Sequence, residues 1–150
     1  MIRRPRLTTA IAVIAAVLVI PLLPAAAAAP VAGADYKGRI AGAPTGENKV
    51  TFTVSARGKS VTDMRVGPWV LTLECGSGGD PPAQTSKPAP IRNDKFTAHV
   101  VYRAPDDTVV ARATVTGKFL RDGKEKGVVT AVLETGNCPS HSLPYTTHAK

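Results

Sequence analysis

The chain has 150 residues, 43% of them hydrophobic and 20% charged, and carries a formal net charge of +8. That length leaves room for one domain plus a leader. One tryptophan, three tyrosines and three phenylalanines, with no Lys/Arg block in the body of the chain, exclude the basic, aromatic-lined groove of a single-strand nucleic-acid binder.

The chain opens with "MIRRPRLTTAIAVIAAVLVIPLLPAAAAAPVAGAD". Arg3, Arg4 and Arg6 precede an apolar run from Ala10 to Leu23, and small residues follow to Ala34. This is the plan of a secretory signal peptide. Ala32-Gly33-Ala34 predicts cleavage between Ala34 and Asp35; an earlier cut after Ala29 would leave Pro30 at the new terminus. Pro21, Pro24 and the alanine run argue against a spanning helix, which needs about 20 apolar residues. Ala34 stands where a lipid-modified cysteine would be required. Residues 1–34 are therefore read as a cleaved signal and residues 35–150 as one secreted, extracellular domain without membrane attachment. Losing the three signal arginines lowers the formal charge from +8 to +5. Weak attraction to an anionic envelope polymer stays open.

Period-two alternation then runs almost throughout. Tyr36–Ile40 reads as a first strand. In "KVTFTVS", Val50, Phe52 and Val54 share one face and Thr51, Thr53 and Ser55 the other. "WVLTLEC" puts Trp69, Leu71, Leu73 and Cys75 on one face. "KFTAHVVYR" separates Phe96, Ala98, Val100 and Tyr102 from Thr97, His99, Val101 and Arg103, and "VARATVTGKF" separates Ala111, Ala113, Val115, Gly117 and Phe119 from Arg112, Thr114, Thr116 and Lys118. Further strands are expected at Val128–Glu134 and near Leu143–Ala149. Their β-branched residues suit a pleated sheet with one wet face. Arg57-Gly58, Asn93-Asp94, Pro105-Asp106 and Asp122-Gly123 supply the turns. Eight or nine short strands without helices read as an all-β, antiparallel β-sandwich, immunoglobulin-like or of a related Greek-key kind.

Cys75 and Cys138 are the two cysteines of an exported chain, so a disulfide is the expected state. Closing a loop of about 64 residues stabilises a fold by roughly 4 kcal/mol on the chain-entropy model. A zinc site from Cys75, Cys138, His141 and His148, or a thiol–imidazole pair at Cys138 and His141, lacks the closely spaced ligand pairs that such chemistry uses. The segment Gly76–Pro90, rich in glycine and proline, reads as an exposed, mobile loop leaving the clamped strand end.

Catalytic patterns are missing. Ser77 lies in "ECGSGG", where Cys75 replaces the glycine of a nucleophile elbow and no helix follows. No Ser-x-x-Lys occurs. Asp106 and Asp107 are neighbours in a turn, not a pair facing across a cleft, and His99 falls on the wet face of its strand. No catalytic residue, metal ligand or cofactor site is expected.

The segments "YKGRI", "VTFTVSARGKSVTDMRV" (Val50–Val66), the strand closing in Cys75, "PIRNDKF" (Pro90–Phe96), "VTGKF" (Val115–Phe119), "KGVVTAVL" (Lys126–Leu133) and the late Cys138 together resemble a group of small exported all-β domains frequent among actinobacterial secreted proteins. The resemblance covers nearly all of residues 35–150 and implies a β-sandwich; it carries over no catalytic residues. The leading expectation is thus a secreted, non-enzymatic module that contacts a cell-envelope glycan or another protein. A small extracellular hydrolase or hydrolase inhibitor presenting Gly76–Pro90 is the alternative. A third is a subunit that buries an edge strand, or Val101 and Val110, against a partner.

Overall fold

The computed structural model describes residues 28–43, 48–67, 83–134 and 141–150. The described residues form nine strands: β1 (Asp35–Ile40), β2 (Lys49–Val54), β3 (Ser60–Val66), β4 (Ala83–Ser86), β5 (Ala89–Pro90), β6 (Lys95–Arg103), β7 (Val109–Phe119), β8 (Lys124–Leu133) and β9 (His141–Ala149). All the pairings are antiparallel. The strands run in the order β4-β6-β7-β8-β9-β1-β2-β3-β5.

The all-β, antiparallel expectation is therefore met, but the described strands do not form two facing sheets. They make one continuous sheet curled into a half-barrel. Alternation fixes which face of a strand is buried; it does not say whether that face meets a second sheet or wraps around on its own. Here it wraps. Gly38, Gly117 and Gly127 supply the room, each at a position where a Cβ would collide with a neighbouring strand's backbone or with core side chains. The enclosed core stacks Tyr36 on Phe52 at 4.9 Å between ring centroids, with Phe119 edge-on to Tyr36 at 5.4 Å and Phe96 at 5.6 Å from Phe119. Every phenylalanine and tyrosine of the chain is buried in it.

The turns obey their chemistry. Asn93-Asp94 and Asp122-Gly123 have positive φ at both residues, as two-residue hairpin turns of the primed kind require. Asp63, with φ of 52°, is the extra residue of a bulge between β2 and β3. Pro144 sits within β9, although a proline gives no N–H to a ladder. Its carbonyl accepts from Ala41, so its nitrogen faces the same side, where β1 has already ended.

Part of the predicted mobile loop is a correction. Residues 83–86 and 89–90 belong to strands, with β4 paired to β6 and β5 paired to β3. The prolines permit this for a positional reason. Val61 and Ala89 flank a pair in which Pro90 faces Ser60, while Ile91 donates to Lys59, so Pro90 occupies a slot where no ladder donor is needed. Because only Lys87 and Pro88 separate β4 from β5, one short stretch of chain holds both ends of the sheet. Gln84 reinforces the seam. Its side-chain Oε1 accepts from the Val66 amide at 2.9 Å and its Nε2 donates to the Val66 carbonyl at 2.7 Å, copying a backbone pair.

The strand Trp69–Cys75, the remainder of the predicted loop, Ser77, Cys138 and the apolar leader up to residue 27 lie outside the described residues. Ala34 and Asp35, the predicted cleavage pair, are described. Ala34 is buried and its carbonyl accepts from Val54, Gly33 donates to Val54, and Val31 donates to the Tyr36 hydroxyl at 3.0 Å. Asp35 is exposed and starts β1.

Candidate functional site

The same alternation that fills the core arms the outer face. On β6 the outward residues are Thr97, His99, Val101 and Arg103. Val101 lies opposite Thr85 on one side and Arg112 on the other. The segment Thr85–Pro90 rises beside this row and Arg112 bounds it, leaving a groove of about 750 Å³.

Two ion pairs shape the groove. Arg103 donates to the Asp107 carbonyl at 2.8 Å and lies 3.6 Å from its carboxylate. Arg112 Nε donates to Glu134 Oε1 at 2.6 Å. Both pairs are solvent-exposed and contribute little stability; what they do is hold two guanidinium groups beside the groove. His99 Nδ1 is 3.3 Å from Thr114 Oγ1. The lining therefore offers guanidinium, ammonium (Lys87) and hydroxyl groups and contains no carboxylate. Such a set can bind hydroxyl-bearing or anionic groups.

A second polar constellation lies inside the curl. Glu125 is fully buried. Its Oε1 accepts from the Tyr145 hydroxyl at 2.8 Å and its Oε2 from the Thr147 hydroxyl at 2.6 Å. Burial pushes the carboxyl from 4.5 up to about 7; the two hydrogen bonds, which favour the charged form, offset only part of that. Burial likewise raises Tyr145, and the neighbouring carboxylate adds to the rise. Among the described residues no cation faces Glu125. Glu125, Tyr145 and Thr147 are all buried.

Sequence reasoning missed Glu125. The signal was available: Glu125, Gly127, Val129 and Ala131 share the inward phase of β8. Beginning that strand at Val128 left the acid outside the pattern.

The other predicted positions fall as follows. His99 is exposed on β6, and Asp106 and Asp107 are exposed in the β6–β7 turn. The Thr108 amide, donating to Asp106 at 3.0 Å, holds the Asp106 carboxyl below its ordinary range. His148 is exposed on β9, and Val101 and Val110 are half-buried. Neither family models, nor curated proteins, nor solved structures match this chain.

Proposed function

We propose that the protein is an exported, non-catalytic contact module that meets a cell-envelope polymer or another protein through the groove between Thr85–Pro90 and β6. The observation that carries this reading is the division of polar groups. The inward carboxyl is sealed among aromatic rings, whereas the groove gathers donors with no acid among them. Export rests on the basic, apolar and small-residue order of the leader. The hydrolase or inhibitor reading is weaker, because residues 83–86 and 89–90 are laddered along the sheet and do not project as a convex loop.

The test is capture from native envelope and culture fluid with the mature domain. An Arg103→Ala/Arg112→Ala double variant should retain its β-sheet circular dichroism and lose captured ligand by at least about tenfold, equivalent to about 1.4 kcal/mol. Undiminished capture by that variant would remove the groove from the proposal.

A Cys75–Cys138 disulfide belongs to the same proposal. What supports it is where the chain leaves the sheet. β3 ends at Val66, β4 starts at Ala83, β8 ends at Leu133 and β9 starts at His141. Through the pairs Ala83–Arg103, Arg103–Val109 and Ala111–Leu133, these points share one end of the sheet. Both cysteine-bearing segments thus depart from that end. Thiol titration of the denatured, exported protein is expected to find no free sulfhydryl; two would end the pairing.

A further inference from the structure

Register collects charges that the linear sequence disperses. Reading across the outer face, Lys49 pairs with Arg39, Arg39 with Thr146, Thr146 with Lys126, Lys126 with Lys118, and Lys118 with Lys95. This row crosses six strands and carries five cations. Beside it runs a second, Arg65–Thr51–Lys37–His148–Lys124, with three more Lys or Arg side chains. All eight are exposed. Neither row contains a carboxylate. Asp35 in the next register position and the turn residues Asp94 and Asp122 stand at the margins, and Glu125, between Lys124 and Lys126, points inward and is buried.

At about 4.8 Å between neighbouring strands, the first row extends about 24 Å over the curved face. It runs obliquely, from the start of β2 to the start of β6, and it ends beside Thr97 at the lip of the groove. Among the described residues, neither of the two ion pairs uses one of the eight cations. Like charges directly opposite on adjacent strands destabilise a sheet, so Lys95, Lys118 and Lys126 in line cost the free protein stability. A bound polyanion would reverse the sign of that cost.

We infer that this double row is a binding surface for a linear, phosphate-bearing polymer of the cell envelope. Six of the eight cations are lysines, which bind phosphate as point charges and impose no forked geometry. That suits a flexible chain of evenly repeated anions. A nucleic acid fits less well: all the phenylalanine and tyrosine rings are buried, which leaves none on this face for bases to stack on. The inference rests on the surface-contact reading above and names its ligand class.

The test measures binding of the mature domain to inorganic polyphosphate, to dextran as the neutral control, and to double-stranded DNA of matched charge. Polyphosphate is expected to bind and to raise the melting temperature, with affinity falling steeply between about 50 and 300 mM salt at a log–log slope of about −3 to −6. Dextran should give nothing. A Lys118→Gln/Lys126→Gln double variant should bind polyphosphate at least about tenfold more weakly while its own melting temperature at low salt stays equal or rises. A merely structural role for the lysines would lower that temperature. The proposal falls if polyphosphate fails to bind at low salt, if the lysine variant binds as the parent does, or if DNA binds more tightly than polyphosphate. Should polyphosphate fail while envelope capture persists and still responds to Arg103→Ala/Arg112→Ala, the cationic rows are lost and the contact module stands. Should polyphosphate bind while envelope capture fails, the rows remain a polyphosphate-binding surface, but the groove and the envelope as source of the ligand are both lost.

Discussion

Replacing Gly127 with alanine should destabilise the domain by at least about 4 kcal/mol, a large share of the roughly 5–15 kcal/mol that holds a domain folded. A Cβ at this position would collide with the Thr116 carbonyl oxygen of β7 and come within 2.6 Å of the Tyr145 ring. Backbone cannot swing aside as a flexible side chain can. Either β7 and β8 separate, or Tyr145 lifts off β8 and its hydroxyl leaves Glu125, which strands a buried acid. Gly42 is the matched control. Its φ is +77° and a Cβ there meets nothing within 4 Å, so Gly42→Ala should cost only about 1 kcal/mol of backbone strain. Urea denaturation of the two variants beside the parent decides the matter. Equal, small losses would mean that the close contact between β7 and β8 at Gly127 does not exist in solution.

Glu125 should give the domain a stability that declines as pH rises through the neutral range. The carboxyl holds its proton up to about 7 in the folded protein, against 4.5 as its ordinary value. Below about pH 4.5 both folded and unfolded chains are protonated at this group and its full stabilising contribution is present. Between about 4.5 and 7 the unfolded chain releases the proton first, and folding loses free energy with each step upward. Above about 7 the loss is complete, at roughly 3 kcal/mol. A Glu125→Gln variant keeps a carbonyl for the Tyr145 hydroxyl and an amide for Thr147, but cannot ionise. It should match the parent near pH 4.5 and exceed it by up to about 3 kcal/mol at pH 8. The difference between the two proteins isolates this group from all the others, so a pH-independent difference would show that Glu125 is not the buried acid described here.

The strand faces were legible because burial and alternation share a period of two. Phe96, Ala98, Val100 and Tyr102 could be assigned to the core without knowing what they would meet, and Asn93-Asp94 and Asp122-Gly123 marked hairpins by their tolerance of positive φ. The single curled sheet was not legible. Its middle joins β1 to β9, so Arg39 sits beside Thr146 near the opposite end of the chain, and no local pattern encodes that meeting. The cationic rows were hidden for the same reason: spacing along the chain disperses lysines that register aligns. The strands at 83–86 and 89–90 were hidden by composition, since proline reads as a ladder breaker until one knows which nitrogens need a partner. Glu125 escaped because an acid was not sought among inward positions.

The stretch from Ala83 to Pro90 changes what kind of object the sheet is. An open antiparallel sheet has two bare rims, each with unused amides and carbonyls that can recruit a stranger. Here the same eight residues lie along one rim with their first half and along the other with their second. Protection of the two rims is therefore a single event, and so is its loss. A break in the chain between β4 and β5 would separate the two latches from each other and loosen both rims together.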